Sequence, residues 1–104
     1  MKEFKIITEP TARQDMLDIR RYISKELLEP VIARRIYESI KGAISTLDHF
    51  PLRYAVVEDE PYAFLGIRIL PVENYNAFYI VNEQSKNVHI IRILYNRREW
   101  QNLL

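Results

Sequence analysis

The sequence predicts an α+β fold: an N-terminal strand, an antiparallel two-helix hairpin, then a three-stranded antiparallel meander packed on the helices. Three observations carry this. The apolar spacing is helical in the first half of the chain and strand-like in the second. Pro10 and Pro30 each stand where a helical stretch begins, a position at which a missing N–H costs nothing. Short polar connections separate three runs rich in Ile, Val, Tyr and Phe.

In order, Phe4 to Thr8 reads as a β-branched first strand bounded by Pro10. Ala12, Met16, Ile19, Ile23 and Leu27 then recur at three and four residues, the stripe of an amphipathic helix for which Thr8 is the expected cap. The spacing restarts after Pro30 with Ala33, Ile36, Ile40, Ala43, Ile44 and Leu47 and ends at Phe50-Pro51. Neither helix is stable alone in water, so both stripes need a shared partner surface. Leu52 to Pro61 is irregular, with Glu58-Asp59-Glu60 as a solvated tip. The remaining strands are Ala63 to Leu70, Tyr75 to Asn82 and Asn87 to Tyr95, joined by turns of hairpin length at 71–74 and 83–86.

With 104 residues, residues 1–104 are expected to form one domain with a single core. Fifteen basic against fourteen acidic residues, a formal charge of +1, exclude a strongly basic nucleic-acid coat protein and an acidic mimic. Without cysteine there is no disulfide framework, thiolate metal site or cysteine nucleophile. Two glycines, Gly42 and Gly66, are too few for a phosphate-cradling loop. The start Met1-Lys2-Glu3-Phe4-Lys5 mixes charges where a signal peptide is apolar. No stretch approaches the roughly 20 apolar residues of a membrane span. The expectation is a cytoplasmic domain without cofactor or metal, away from membranes.

Pairing Leu70 with Tyr75 and Asn82 with Asn87 places Arg68, Ala77 and Arg92 in one row across the sheet, beside Tyr75 and Tyr79. Two guanidinium groups so placed would hold an anion. A one-residue slip in either hairpin moves an arginine to the other face, and Asp15 or Asp18 on the first helix could instead pair with one structurally. Ile67, Ile69, Phe78, Ile80, Ile91 and Ile93 are the first choice for the core face, although both faces are apolar. Beyond the last strand, Tyr95-Asn96-Arg97-Arg98-Glu99-Trp100 sets two arginines between two aromatics, a chemistry that grips phosphates and unstacked bases. For Trp100, packing back onto the domain is favoured; for Arg97 and Arg98, exposure and partner contact. His49 is read as a helix-end residue and His89 as the better candidate acid or base. Arg20-Arg21 and Arg34-Arg35 are read as solvated helix faces.

The chain resembles the RelE/ParE superfamily of toxins from type II toxin–antitoxin modules. The resemblance runs almost end to end. It rests on Thr8, Ala12, Asp15, Ile19 and Tyr22-Ile23; on Leu47 and Phe50-Pro51; and on Leu65-Gly66-Ile67-Arg68. It continues through Tyr75, Phe78-Tyr79, Ile91-Arg92-Ile93-Leu94-Tyr95 and Arg97-Arg98. It implies a helical hairpin on a small antiparallel sheet. It also implies a toxin neutralised by a cognate antitoxin, through which alone operator DNA would be touched. RelE-like members cut messenger RNA on the ribosome, which needs a base, phosphate-binding cations and an acid. Here Asn76 follows the strand tyrosine where those nucleases commonly have arginine, and Arg68 stands alone on the preceding strand. The ParE-like branch, which acts on DNA gyrase by binding, fits the long hairpin and the Leu-Gly-x-Arg strand better. If the chain is a nuclease, the catalytic candidates are Arg68, Arg92, Tyr95, Arg97 and Arg98; as a binding surface, the same residues with Trp100. Helices covering one sheet face would leave a groove beside the hairpin partly open to an antitoxin segment, with Arg97 and Arg98 at its rim.

Overall fold

Pro10 decides where the first strand stops. In the computed structural model, which describes residues 4–104, β1 (Lys5–Thr8) pairs in parallel with Asn87–Ile90 of β4 (Asn87–Tyr95). The next backbone donor, Glu9 N–H, still reaches Ile90 O at 2.9 Å. Proline has no N–H to continue the ladder but is preorganised for a first helical turn, so the chain leaves the sheet and starts α1 (Pro10–Arg21). The charged start Met1-Lys2-Glu3 lies outside the described residues. The cap position is Glu9, without a side-chain bond, rather than Thr8, because Thr8 is still held in the sheet.

A wider helical turn with i→i+5 bonding, Tyr22–Glu26, extends α1 to the hairpin tip, and α2 (Pro30–Ser45) returns from it. Ala12, Met16, Ala33, Ile40, Ile44 and Leu47 are buried as their spacing requires. Leu27 is not: it is 52% exposed, because the chain has by then run past the edge of the sheet.

β2 (Arg68–Val72) and β3 (Tyr75–Asn82) complete the sheet, in the order β1-β4-β3-β2. The meander is antiparallel as expected, but β1 makes the whole sheet mixed. The expected strand from Ala63 begins only at Arg68. Residues 59–66 are instead closed by turn bonds such as Leu65 N–H to Pro61 O, ending at Gly66 with φ +77°, a left-handed conformation that favours glycine.

Register separates the two arginines expected in one row. A two-residue turn, Glu73-Asn74, makes Val72 the partner of Tyr75, so Arg68 lies opposite Tyr79 and Leu70 opposite Ala77. This shift of two keeps Arg68 on the Ala77 face. In the second hairpin, Asn82 does pair with Asn87, but an irregularity between Phe78 and Tyr79 leaves Ile91 without a direct opposite. Ala77 then faces Ile93 and Phe78 faces Arg92. One inserted residue turns Arg92 to the other face.

The face expected to carry the core is also corrected. The main core lies between the helices and Leu70, Ala77, Tyr79, Val88, Ile90 and Ile93. Ile67, Phe78 and Leu94 form a second cluster on the opposite face, packed under Tyr62 and the C-terminal Trp100, Leu103 and Leu104. Ile93 belongs to the helical side because of the same bulge.

Tyr79 is fully buried in the main core and donates its hydroxyl to Pro51 O at 2.7 Å. Arg68 donates to Leu52 O at 3.3 Å and to Tyr54 O. Both side chains therefore fasten the 51–54 turn to the sheet. Burial pushes the Tyr79 pKa up to about 12, with Arg68 and Arg53 pulling the other way. An unfolded tyrosine ionises near its ordinary value of 10.0, so the native state loses stability as pH rises from there towards the folded value. Tyr79→Phe should cost about 1–2 kcal/mol at neutral pH by leaving the Pro51 carbonyl unpartnered. It should also remove much of the stability loss between pH 10 and 12 seen in urea titrations. An unchanged alkaline slope would show that Tyr79 does not govern it.

Candidate functional site

β4 outruns β1, so its second half has an unpaired edge, and exposed edge groups need partners. α1 crosses this edge and supplies them. Thr11 Oγ1 donates to Ile91 O at 2.7 Å, and Ile93 N–H donates to Asp15 Oδ2 at 2.9 Å. Asp15 also receives both ends of the Arg92 guanidinium, Nε at 2.7 Å and Nη2 at 3.0 Å. The remaining nitrogen, Nη1, donates to Leu103 O at 2.8 Å. The hydrogen bonds to Asp15 raise the Arg92 pKa, against a smaller effect of burial. Asp15 side-chain exposure is 12%, so this pair is poorly screened by water. The expectation of a structural carboxylate for one sheet arginine holds for Asp15 and Arg92, whereas Asp18 accepts from Gln14.

Above this pair opens a groove of about 960 Å³ between the helical hairpin and the ends of β3 and β4. Its apolar lining comes from Ile19, Ile23 and Leu27 on one side, Ile32 and Ile36 on another, and Ile93 and Leu94 below. Tyr22, Tyr75 and Tyr95 stand around it. Tyr75 and Tyr95 meet edge to face at 5.7 Å between ring centres, a favoured arrangement of aromatic quadrupoles. Partial burial, then the neighbouring Tyr95 and Tyr22, raise the Tyr75 pKa, so the Tyr75 hydroxyl stays a neutral donor and acceptor at physiological pH. The charges are Asp15, Asp18, Glu29, Glu73, Arg92 and Arg98. Three of these are already matched, Arg92 and Asp15 by each other and Glu73 by Arg35 at 3.1 Å.

Of the expected site residues, Arg92, Tyr95 and Arg98 come together at this groove. Arg68 is elsewhere, spent on the 51–54 carbonyls. Arg97 is exposed but does not line the groove. Trp100 packs as favoured, with ring centres 5.2 Å from Phe78 and 5.3 Å from Tyr62. The C-terminal segment is further held by Tyr62 Oη to Gln101 O and by Gln101 Nε2 to Asp59 at 3.1 Å. A smaller cavity of about 310 Å³ lies beneath it, and Arg92 lines both cavities. His89 Nδ1 sits 2.8 Å from Glu9 Oε2, tying β4 to the start of α1, and His49 Nδ1 is 2.7 Å from Asp48. Arg20-Arg21 and Arg34-Arg35 are exposed, with Arg20 over the Tyr37 ring at 5.3 Å. Among the described residues no group of three or more His, Cys, Asp or Glu side chains could hold a metal ion, and no helix is long and apolar enough to cross a membrane.

Tyr22 and the open ends of both helical stripes are absent from the expected site, and Tyr75 enters it only as a neighbour of the expected arginine row. Their spacing is that of core residues. Only their crowding at the hairpin tip, beyond the reach of the sheet, distinguishes them.

Solved structures share this architecture. A chromosomal ParDE toxin–antitoxin system from P. aeruginosa matches with a TM-score of 0.73 at 22% identity, over 89% of this chain and 96% of that one. The toxin–antitoxin complex RelBE2 from Mycobacterium tuberculosis matches with 0.63 at 20% identity, over 91% and 93%. An archaeal RelE–RelB complex from Pyrococcus horikoshii matches with 0.57 at 10% identity, over 92% and 98%. No curated protein sequence matches. The fold is thus that of the RelE/ParE superfamily. The model of the ParE toxin of the type II toxin–antitoxin system, parDE, matches residues 6–100, and the chain belongs to that family.

Removing one partner of a poorly solvated pair leaves the other uncompensated. Asp15→Ala and Arg92→Ala should each lower stability by about 2–4 kcal/mol, whereas Arg97→Ala should stay within about 0.5 kcal/mol. Urea unfolding followed through Trp100 fluorescence reads all three. Equal stability across them would show that the pair carries no structural weight.

Proposed function

We propose that this toxin arrests growth by binding DNA gyrase, without cutting RNA, and that a cognate antitoxin neutralises it by occupying the groove beside the helical hairpin. The observation that carries the first half is the state of Arg92. RNA cleavage needs cations free to meet a scissile phosphate, and every guanidinium nitrogen of Arg92 is engaged by Asp15 or Leu103 O. Arg68 is likewise committed to backbone carbonyls. Tyr95 and Arg98 remain at the groove, leaving one cation there that no ion pair engages among the described residues. The exposed Arg97 and Arg98, with Tyr95, make better sense as contacts for a macromolecular partner than as a reaction centre.

The second half rests on shape. An open groove with an apolar floor and tyrosines around it suits an amphipathic helix or an apolar peptide segment. Arg98 at its rim and the nearby Arg97 would meet an acidic stretch of that segment and speed encounter more than they strengthen the final complex.

Induced alone, the chain should stop bacterial growth, and co-expression of the antitoxin encoded beside it should restore growth. In extracts of arrested cells, supercoiling by gyrase should be inhibited or gyrase-linked DNA breaks should accumulate, with messenger RNA intact. Codon-positioned cuts on translating ribosomes that vanish in Tyr95→Phe would assign the nuclease activity instead. Replacing Arg97 and Arg98 together with Glu should slow antitoxin association roughly tenfold at low salt and progressively less as salt rises. Stopped-flow rates unaffected by this reversal would place both arginines away from the antitoxin.

A further inference from the structure

The hairpin tip sets an exposed leucine in the left-handed backbone position that closes its first helix. The turn after α1 closes through Leu27 N–H to Tyr22 O at 3.1 Å and Glu29 N–H to Ile23 O at 3.0 Å. Between them Leu28 adopts φ +56°. This is the left-handed position that ends many helices and is ordinarily glycine or asparagine, because a Cβ is penalised there. A leucine at this site is justified if its side chain is buried in return. Leu28 is instead 78% exposed, next to Leu27 at 52% and Val31 at 81%. Backbone strain and apolar exposure both cost stability at the same residue, and strain of this kind is characteristic of ligand clamps. Phe50 is also exposed with φ +48°. It lies away from the groove, and its carbonyl is held by Arg53 through the main chain at 3.1 Å and the guanidinium at 3.3 Å.

The tip is continuous with the groove, since Leu27, Glu29 and Ile32 line the groove and Leu28 and Val31 stand between them in the chain. Charge narrows what fits. Once the Asp15–Arg92 and Arg35–Glu73 pairs are set aside, the remaining lining charges are Asp18, Glu29 and Arg98. The Glu29 carboxylate belongs to the tip end, and no side-chain partner holds it among the described residues.

We propose that Leu27, Leu28 and Val31 form a docking knob that extends the groove over the hairpin tip. Its occupant is an amphipathic segment of the antitoxin, with an apolar row on the knob and a basic side chain opposite Glu29. The proposal rests on the toxin–antitoxin reading above and adds where the segment is anchored and with which charge. The knob separates stability from binding: relieving the strain helps the free toxin and harms the complex.

The test uses the full chain and the antitoxin encoded beside it. Leu28→Gly should raise the melting temperature of the free toxin by about 2–6 °C while speeding dissociation from the antitoxin at least fivefold. Leu28→Asn, which also tolerates the left-handed conformation, should do the same. Glu29→Lys should slow association at low salt, an effect lost at high salt. A raised melting temperature with unchanged dissociation would overturn the knob while leaving the groove reading intact. A lowered melting temperature in both Leu28 variants would show that the leucine serves the fold. An antitoxin that fails to bind the unaltered chain would sink the groove reading and this proposal together.

Discussion

The carboxylate of Asp15 holds the fold together where the sheet runs out of strands. β1 ends at Thr8 because Pro10 cannot donate, so past Ile90 the outer edge of β4 has no strand beside it. An unpaired strand half is costly if buried and adhesive if exposed. α1 removes the problem by crossing the open edge, with Thr11 taking Ile91 O and Asp15 taking Ile93 N–H. The charge this brings to the sheet is balanced by Arg92, which meets both carboxylate oxygens. One proline just after the first strand thus leads, through an uncovered edge, to an acid on the helix and a base on the strand.

That contact also shapes the surface offered to partners. It fixes α1 against β4 and so sets the width of the groove between the hairpin and the strand ends. It takes Arg92 out of circulation and leaves Arg98 as the groove cation that no carboxylate pairs with among the described residues. Through Leu103 O it reaches the C-terminal segment on the other side of the sheet, where Trp100 wedges between Phe78 and Tyr62. Both faces of this small sheet are therefore covered by material anchored at one guanidinium group. Such anchoring would suit the proposed binding action, since the walls of a docking surface have to be rigid.

Much of the fold was legible because local physics and tertiary structure agree. Helical spacing marks both helices, and Pro10 and Pro30 mark their starts. Asn87–Tyr95 is a strand by composition and by position. What could not be read depends on single insertions. One residue, Ile91, bulges from β4 and sends Arg92 to the face opposite Arg68, and no local propensity announces it. The choice of core face was ambiguous because both faces are apolar, one for the helices and one for Tyr62, Trp100 and the final leucines. Of the candidate site, Tyr95 and Arg98 were identifiable from the basic and aromatic run after the last strand. Leu27 and Tyr22 were not, because helical spacing alone cannot say that a helix outlasts the sheet it packs on.

Hydrogen exchange at the Ile93 amide reports on the central contact directly, since that amide has a carboxylate partner and no strand on its outer side. If Asp15 bolts α1 to β4, the Ile93 amide exchanges as slowly as the amides of the β3–β4 ladder and opens only with the whole domain. Its protection then collapses in Asp15→Ala while Val88 and Ile90 stay protected. Exchange at the rate of an open edge amide in the unaltered chain would contradict this, and with it the structural assignment of Arg92.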